Sequence, residues 1–484
     1  MTQRRPIVEA LIQFNKKQPI SFHVPGHKHG ILSGLPEEIQ AALSYDLTEL
    51  TGLDDLHYPE GIIQDAQQLL ADAYGAQQSF LLVNGSTVGN LAMIHAACRE
   101  GDVVIVQRNS HKSIFHALEL AHVRPVYVSP QWDDESKTAA AVSLKAVKAA
   151  IISYPEAKAI VLTYPNYYGI VSKELAAIIA LCHEHEIAVL VDEAHGAHFQ
   201  IGEPFPVSAL TLGADVVVQS AHKTLPAMTM GSFLHVGSNR VRIKMIEKYL
   251  RMYQSSSPSY LILASLDDAR AHLQTYSLPD IRAFNEKRER FLNSLRMIPQ
   301  LHVIESDDPL KIMLRVNHHS GYQFKEKLEQ VGVEVELADL FQVLFVLPLL
   351  KQRHSYPFAE IRSRLKEAVA MLAGESRQQT EVTSHHFQDV TVPELSFEEI
   401  DLADQEWVSY TQIIGRIAAG MIIPYPPGVP LIVAGEKWTM LKVEELLNYL
   451  AANAQIQGDH RLASKQLPVL QEENQLLARE ERVY

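Results

Sequence analysis

Short β-rich runs alternate with amphipathic helical runs between residues 66 and 237 of the 484-residue chain. The runs that predict strands are Ser79–Asn84, Asp102–Arg108, Arg124–Ser129, Ala159–Tyr164, Ala188–Asp192, Asp215–Ser220 and Gly231–Val236. Helical stretches such as Lys173–His185 lie between several of them. This alternation predicts an α/β fold with a mainly parallel, seven-stranded sheet and flanking helices. Ligands of such sheets bind at the carboxyl ends of the strands.

The pattern changes on both sides of this region, which predicts further segments. Residues 1–65 are rich in Pro, Gly, His and Asp, with one helix near Ile7–Lys17, and residues 374–396 are polar and aperiodic. Strand-like runs at Leu301–Arg315 and Val333–Leu349 indicate a second α/β unit. The predicted order is an N-terminal arm or cap (1–65), a large domain (66–270), a small α/β domain (271–373), a linker (374–396) and a C-terminal α+β domain (397–484).

Composition narrows the classes of function. The net charge of −14 argues against nucleic acid as a partner, because phosphate contacts need a basic face. No apolar run of about 18 residues is present, so no membrane span is expected. The two cysteines, Cys98 and Cys182, lie in apolar stretches and are expected to be buried thiols. With no secretory signal at the start of the chain, this favours a cytoplasmic location.

A lysine and an aspartate at two predicted strand ends are the clearest chemical signal. Asp192 ends the apolar strand Ala188–Asp192, and Lys223 follows the strand Asp215–Ser220 by three residues. A lysine amine can hold the aldehyde of pyridoxal phosphate as a Schiff base, and a carboxylate can keep the pyridine nitrogen protonated. Glu193 is a weaker candidate for that carboxylate because its side chain is longer. A solvated surface lysine is the alternative for Lys223.

Polar residues after the other strands suit the rest of such a cofactor. Asn84-Gly-Ser-Thr87 opens a predicted helix, Val88–Cys98, whose free N–H groups and dipole attract phosphate. Gly85 allows close approach, and Ser86 and Thr87 add hydroxyl groups. A simple helix N-cap is the alternative. The further candidates are His111 for stacking on the ring, Ser220 and His222 for the phosphate, and the hydroxyl cluster Tyr253–Pro258, which is otherwise a surface loop.

Histidine-rich segments offer a rival metal site. The possible ligand sets are Asp192, His195 and His198, and His23, His27 and His29. No cysteine pair completes either set, and neither shows the two-histidine helix of zinc peptidases. We therefore expect no metal, and we expect these histidines to form hydrogen bonds within loops.

Taken together, the motifs resemble the Orn/Lys/Arg decarboxylase family, pyridoxal-phosphate enzymes with the aspartate-aminotransferase type of fold (fold type I). The resemblance spans nearly the whole chain. It rests on His23-Val-Pro-Gly-His-Lys-His-Gly30, Asp46-Leu-Thr-Glu-Leu50, Leu53-Asp-Asp-Leu56, Pro59, Gly61, Asn84-Gly-Ser-Thr87, His111-Lys-Ser113, Asp192-Glu-Ala-His-Gly-Ala-His198, Ser220-Ala-His-Lys223, Ser255-Ser-Ser-Pro258 and Tyr425-Pro-Pro-Gly428.

The resemblance implies roles for individual residues and an assembly. Active sites in this fold lie at a dimer interface, so a homodimer or a higher homo-oligomer is expected. The implied roles are Lys223 for the covalent link to the cofactor, Asp192 for the pyridine nitrogen, His111 for stacking on the ring, Ser86, Thr87, Ser220 and His222 for the phosphate, with Gly85 allowing its close approach, His195 beside the phenolic oxygen, and Ser256 for the phosphate in the partner subunit.

The resemblance also implies a carboxy-lyase that converts arginine, lysine or ornithine to agmatine, cadaverine or putrescine. The large degradative members carry an N-terminal response-regulator-like domain that builds decamers, and they have tryptophan where His195 stands. This chain begins almost directly at the His23 motif, so the short, biosynthetic-like branch is expected, with arginine as substrate and lysine or ornithine as alternatives. Ala434-Gly-Glu436 replaces the more usual Pro-Gly-Glu.

Two questions stay open at this level. A fold type I aminotransferase or a non-catalytic homologue is the alternative from another class, with Arg315 or Arg416 as a possible second carboxylate site. Asp54, Asp55 and Glu60 are candidates for binding the positively charged distal group of the substrate. The alternative is that they serve as turn residues and salt-bridge partners.

Overall fold

A computed structural model describes residues 4–373, 389–425, 429–452 and 454–471. The predicted linker, the C-terminal domain and the turn Tyr425–Pro430 therefore lie partly outside the described residues. The α-helices are α1 (Pro6–Lys16), α2 (Glu37–Gln40), α3 (Ile62–Tyr74), α4 (Gly85–Ala97), α5 (Lys112–Leu120), α6 (Leu144–Ser153), α7 (Leu175–Glu184), α8 (Ala221–Thr224), α9 (Ile243–Tyr253), α10 (Tyr260–Gln274), α11 (Leu278–Arg296), α12 (Gly321–Gln330), α13 (Phe358–Leu372), α14 (Phe397–Leu402) and α15 (Met440–Ala451). The strands are β1 (Gln78–Leu82), β2 (Val103–Gln107), β3 (Arg124–Val128), β4 (Trp132–Asp133), β5 (Thr138–Ala139), β6 (Ala159–Thr163), β7 (Ala188–Asp192), β8 (Val216–Gln219), β9 (Ser232–Val236), β10 (Leu301–Glu305), β11 (Lys311–Val316), β12 (Leu337–Ala338), β13 (Val343–Val346), β14 (Val390–Thr391), β15 (Gln405–Ser409), β16 (Ile422–Tyr425), β17 (Gln455–Gly458) and β18 (Gln466–Leu470).

The chain divides into two compact units, and the first comprises Met1–Ala97 and Leu175–Ile281. Its strands lie in the order β1-β9-β8-β7, with β7 parallel to β8 and β9 antiparallel to both of its neighbours. Every residue of β7, β8 and β9 is buried, as expected for strands covered on both faces. The carboxyl ends of β7 and β8 carry Asp192 and the Ser220–Lys223 motif.

The second unit comprises Cys98–Glu174 and Arg282–Tyr484. Strands β6, β2 and β3 are parallel neighbours, and the short β14 pairs antiparallel with β3. A separate antiparallel sheet has the order β10-β11-β13-β12. Near the C-terminus, the pairs β15–β18 and β16–β17 enclose a core around the fully buried Trp438.

All seven strands predicted from the alternation are present, each within two residues of its predicted ends. The two long runs predicted as strands of the second α/β unit, Leu301–Arg315 and Val333–Leu349, are each divided into two strands. In the first run a turn interrupts the apolar pattern, and there the Asp308 carboxylate accepts the Leu310 N–H at 3.0 Å. The short strand β14 was not predicted, because two residues are too few to show an alternation of apolar and polar positions.

Local signals explain several element ends. Helix α3 stops at Gly75, whose φ of +69° suits glycine at a helix C-terminus. Ser320 and Ser396 form capping boxes at the starts of α12 and α14. Across the described part of the chain, helices are too short or too polar to cross a membrane.

Candidate active site

Asp192 lies at the carboxyl end of β7 with 3% of its surface exposed. The Asn90 amide donates to one carboxylate oxygen at 2.9 Å, and the Ala194 N–H donates to the other at 3.1 Å. Burial raises the pKa of Asp192, while the charge of Lys223 and these donors act to lower it. A buried carboxylate held in this way is suited to accept a further N–H from a cationic ring.

Glu193, the next residue, belongs to a different hydrogen-bond network. Its carboxylate accepts from the Ser208 hydroxyl at 2.9 Å, the Ala209 N–H at 2.6 Å and the Gln219 amide at 2.8 Å. Glu193 follows the last residue of β7, and its carboxylate shares none of the donors of Asp192. This favours Asp192 over Glu193 as the partner of a ring nitrogen, and that role stays a prediction.

Lys223 lies in the single helical turn α8, which directly follows β8, rather than in an irregular loop. Its Nζ atom is 3.0 Å from Nε2 of His195. The adjacent Thr224 hydroxyl is buried and has no hydrogen-bond partner among the residues that the structure describes. The structure thus brings Lys223 and His195 together at neighbouring strand ends.

The phosphate candidates lie at the start of α4 and beside it. Gly85 begins the helix with a φ of +81°, and no atom lies within 4 Å of the position of a Cβ there. Its own N–H donates to the Met230 carbonyl at 2.9 Å, so an anion would have to meet the N–H groups that follow. The Ser220 hydroxyl donates to that of Ser86 at 2.8 Å, and Thr87 is exposed.

Two other predicted phosphate residues have different surroundings. One ring nitrogen of His222, Nδ1, lies 3.0 Å from the Gly231 carbonyl oxygen. Ser256 is exposed in a loop that is tied to the phosphate motif, because the Ser255 N–H donates to the Asn84 side chain at 3.2 Å. The structure therefore joins Ser220 to Ser86 directly, and it leaves Ser256 at the surface.

His111 belongs to the second unit, where it is the N-cap residue of α5. Its Nδ1 atom accepts the Ser113 N–H at 3.3 Å and lies 2.9 Å from the Ser113 hydroxyl. The ring of Tyr167 is 6.4 Å away at a tilted angle. These contacts hold the orientation of the imidazole, and stacking on a cofactor stays a prediction.

Sequence reasoning missed two polar residues of this region, Asn90 and Thr224. Asn90 lies one helical turn after Ser86 on α4, so it shares a helix face with the phosphate motif. That spacing was a signal that could have identified it. For Thr224, adjacency to Lys223 was the only clue.

Two of the three acidic candidates for binding the distal cation, Asp54 and Asp55, have carboxylates that are engaged in a turn. Asp54 accepts the N–H groups of Glu60, Gly61 and Ile63 at 2.8 to 3.0 Å. Although burial raises it, these and other backbone donors lower the pKa of Asp54. Asp55 accepts the His57 N–H at 2.7 Å. These bonds favour the turn interpretation over substrate recognition for both residues.

The histidines considered as metal ligands have other contacts. His27 lies 3.2 Å from an oxygen of Asp46, and the ring of His198 packs against Phe199 and Phe205. Among the described residues, no group of three or more His, Cys, Asp or Glu side chains is arranged to hold a metal ion.

These residues fit pyridoxal phosphate. Asp192 offers a buried acceptor for a ring N–H, and Lys223 offers an amine for the aldehyde. The 13-residue helix α4 presents its N-terminus beside the Ser86 and Ser220 hydroxyls, which suits a phosphate. The buried Thr224 hydroxyl adds a donor that a bound group could satisfy.

Comparisons with known proteins agree with this chemistry. The model of the Orn/Lys/Arg decarboxylase major domain matches residues 5–294, and that of the Orn/Lys/Arg decarboxylase C-terminal domain matches residues 376–460. The uncharacterized protein YaaO of Bacillus subtilis (strain 168) is 45% identical over 480 residues, which cover 97% of this chain and 99% of YaaO. The arginine decarboxylase of Bacillus anthracis is 31% identical over 496 residues, which cover 96% of this chain and 97% of that protein. The solved structure of E. coli constitutive lysine decarboxylase has a TM-score of 0.75 at 19% sequence identity, and the match covers 97% of this chain and 82% of that chain.

The likeness to the solved structure confirms the predicted fold, a mixed α/β fold with a large, mainly parallel sheet and smaller antiparallel sheets. The family match confirms the predicted carboxy-lyase activity and the predicted cofactor. The chain therefore belongs to the Orn/Lys/Arg decarboxylases, the pyridoxal-phosphate-dependent carboxy-lyases of basic amino acids.

Proposed function

We propose that this decarboxylase converts arginine to agmatine and CO2. The observation that carries the proposal is the contrast between its named relatives. The Bacillus anthracis arginine decarboxylase is 31% identical across nearly the whole chain, whereas the lysine decarboxylase LdcA of Pseudomonas aeruginosa is 24% identical and the constitutive lysine decarboxylase of Escherichia coli is 22% identical. The carboxylates of Asp54 and Asp55 accept hydrogen bonds within the turn, so neither identifies the distal group of the substrate. Lysine and ornithine therefore remain the alternative substrates.

We assign the chemistry to residues at the ends of β7 and β8. Pyridoxal phosphate, when bound, supplies an electron sink for the bond that breaks between Cα and the carboxylate. Asp192 holds the proton on the pyridine nitrogen, and Asn90 orients Asp192 by its hydrogen bond. Lys223 would provide the amine that holds the cofactor. His195, whose Nε2 atom is 3.0 Å from that amine, would orient it, and we propose that His195 would also contact the phenolic oxygen of a bound cofactor.

The remaining roles concern orientation. We propose that Ser86, Thr87, Ser220 and His222 hold the phosphate, that the backbone at Gly85 gives it room, and that His111 stacks on the ring. The positive φ of Gly85 and the contact between Ser86 and Ser220 support this assignment. By holding the phosphate, these residues would fix the orientation of the cofactor relative to the bound substrate.

Two observations weigh against an aminotransferase, the alternative from another class. The Arg315 guanidinium donates to the Gln342 side chain at 2.6 Å and to the Ser136 carbonyl at 3.3 Å. Arg416 donates to Glu406 and to the Leu470 carbonyl. Both candidate arginines are therefore engaged within the protein, which makes each a poor site for a second substrate carboxylate.

The central experiment measures CO2 release from arginine, lysine and ornithine side by side with the purified holoenzyme. We expect the highest kcat/KM with arginine. A higher value with lysine or ornithine would transfer the assignment to that substrate, and keto-acid formation without CO2 would identify an aminotransferase. Lys223→Ala should abolish both CO2 release and the visible absorbance of the covalently held cofactor. Retention of both would refute the role of Lys223.

Asp192→Ala separates binding from chemistry in the same assay. We expect kcat to fall far more than substrate affinity, because the carboxylate maintains the ring proton rather than contacting the substrate. The exposed Glu184, on α7, provides Glu184→Gln as a control that should leave kcat unchanged. Near-normal turnover of Asp192→Ala would contradict the assignment.

We further propose a homodimer or a higher homo-oligomer in which Ser256 serves the phosphate site of the neighbouring subunit. Its exposure in the loop beside Asn84 supports this arrangement. Subunits carrying Lys223→Ala and Ser256→Ala should complement each other. In a 1:1 mixture that reassorts at random, about half of the dimers are mixed and each retains one intact site of its two, so the mixture should show about a quarter of full activity. Activity that stays at the mean of the two separate variants would refute the shared site.

The buried thiols of Cys98 and Cys182 support a cytoplasmic location for the enzyme. Cell fractionation tests this proposal directly. Recovery of the enzyme outside the cytoplasmic fraction would overturn it.

A further inference from the structure

We define the C-terminal segment as residues 405–425, 429–452 and 454–471. The loop that carries His111, residues 108–112, forms hydrogen bonds to this segment at both of its ends. We propose that the C-terminal segment positions His111 for the cofactor ring, and that Arg108, Glu436 and Lys112 are positioning residues for the reaction. This inference rests on the proposed role of His111. It assigns a catalytic contribution to a segment that holds none of the residues proposed above to contact the cofactor.

The first anchor is a bidentate ion pair between Arg108 and Glu436. Arg108 donates through Nε and one terminal nitrogen to the two carboxylate oxygens, at 2.9 and 2.7 Å, and only 14% and 10% of the two side chains are exposed. The guanidinium also donates to the carbonyl groups of Pro430 and Leu431, at 2.9 and 3.3 Å. A planar group with four such contacts to one segment cannot be replaced by a lysine ammonium.

Two aromatic rings of the protein also lie near the same guanidinium. The rings of Phe115, on α5, and Tyr127, on β3, have their centroids 5.4 and 5.6 Å from the guanidinium carbon. Arg108 therefore connects the helix that follows His111 to the C-terminal segment.

Glu436 is held as a permanent charge. Lys442 donates to it at 2.7 Å, and the Val433 N–H donates at 3.1 Å. Although burial raises it, the charges of Arg108 and Lys442 lower the pKa of Glu436 to about 2. Because this low pKa keeps the carboxylate ionised around neutral pH, the ion pair acts there as a constant contact rather than as a pH-dependent switch.

The backbone before Glu436 is also specialised for this position. Gly435 has a φ of +81°, and a Cβ atom there would lie 2.9 Å from a methyl carbon of Ile400 and 3.1 Å from the Leu395 carbonyl oxygen. A side chain at this position would displace the turn that presents Glu436. The turn thus explains Gly435, and the ion pair with Arg108 explains Glu436.

The second anchor is formed by Lys112, which directly follows His111 in the sequence. The Lys112 ammonium donates to the Gln457 side chain at 2.8 Å and lies 5.5 Å from the centroid of the Tyr425 ring. Between the two anchors, the Asn109 amide donates to the Ala140 carbonyl at 3.1 Å, and the Ser110 hydroxyl is 3.0 Å from that of Thr163. His111 therefore lies between two residues that are each held by the C-terminal segment.

Glu436→Gln tests the anchor in the full-length enzyme. It keeps the size of the side chain and leaves the buried Arg108 charge without its counter-charge. The matched control is Glu406→Gln. Glu406 forms an ion pair with Arg416 in the same segment, and the Glu406 side chain is 41% exposed. Amide hydrogen exchange is measured for residues 108–112 without the cofactor, together with cofactor affinity, visible circular dichroism, kcat and KM with arginine.

We expect Glu436→Gln to accelerate exchange in the loop at least about tenfold. The circular dichroism of the bound cofactor should change, and kcat should fall about 100-fold with little change in KM, as expected when a catalytic group is displaced by about 1 Å. Glu406→Gln should match the wild type in every measurement. Should Glu436→Gln fail to fold, Lys112→Met removes only the second anchor, and the same changes are expected at smaller size.

Wild-type exchange and wild-type circular dichroism in Glu436→Gln and Lys112→Met would overturn the inference, even if thermal stability falls. His111→Ala, measured in parallel, separates this failure from that of the proposed function. If His111→Ala resembles the wild type, the proposed role of His111 is wrong. If His111→Ala is impaired while both anchor variants are normal, only the positioning by the C-terminal segment is wrong.

Discussion

Replacement of Glu193 by glutamine should remove a pH-dependent loss of stability from the strand ends that carry Asp192. Glu193 is fully buried, and the partners that donate to it, Ser208, Ala209 and Gln219, are all neutral. Burial raises the pKa of Glu193 to about 8, although these donors act to lower it. The ionised carboxylate is therefore disfavoured in the folded protein relative to the unfolded chain.

The sign of the effect follows from the two protonation equilibria. The ordinary pKa is 4.5 and that of the folded protein is about 8, so between these values the folded protein binds one more proton than the unfolded chain. The free energy of unfolding then falls as the pH rises through this window, by up to about 1.4 kcal/mol per pH unit. Below the window both states hold the proton, and the full contribution is present.

Glutamine does not titrate, so the variant should lose this pH dependence. Its amide NH2 must face at least one of the three donors, which should cost about 1–3 kcal/mol at every pH. The variant is therefore expected to be less stable than the wild type at low pH, and the difference should shrink or reverse as the pH rises.

Urea unfolding between about pH 5 and pH 8 measures how the difference in free energy of unfolding between the wild type and Glu193→Gln depends on pH. Titrations common to both proteins cancel in this difference. Glu184→Gln, at an exposed position of α7, controls for the loss of one carboxylate. A difference in free energy of unfolding that is the same at every pH would refute the reasoning.

Three further predictions concern stability and reactivity. Asp54→Ala should cost about 1–3 kcal/mol, because it leaves N–H groups of the turn before α3 and of the start of α3 without their acceptor; thermal unfolding measures this, and an unchanged midpoint would contradict it. Gly89→Ala should cost about 1–3 kcal/mol, because the added Cβ would lie 2.7 Å from a methyl carbon of Val218; Gly34→Ala, which meets no atom within 4 Å, should be nearly neutral in the same measurement. Burial raises the pKa of Cys98 and of Cys182 to about 12, so neither thiol should react with a disulfide reagent near neutral pH until the protein is unfolded; rapid labelling of the native enzyme would disprove this.

The elements of the large sheet could be predicted because their signals are local. Strands such as β2 and β7 are continuous apolar runs, and five buried residues in a row identify a strand covered on both faces. The ends were less certain, since α4 begins at Gly85 rather than at Val88. Helix starts depend on a backbone conformation that the apolar period does not record.

The chemistry of the candidate site was partly local as well. Asp192 and Lys223 could be proposed because each follows a strong strand, where the ends of parallel strands meet. The pairs that orient them could not be proposed, because Asn90 is 102 residues from Asp192 and Lys223 is 28 residues from His195 along the chain.

By itself, the order of apolar and polar residues determined that this protein has an α/β sheet and which residue types stand at its strand ends. Only the tertiary structure decided that Asp192 and Glu193 belong to different hydrogen-bond networks, and that Arg108 pairs with Glu436, 328 residues away. The physical reason is that periodicity reports burial of apolar surface, which is summed over many residues. A hydrogen bond or an ion pair instead depends on the position of two atoms, which only the folded chain fixes.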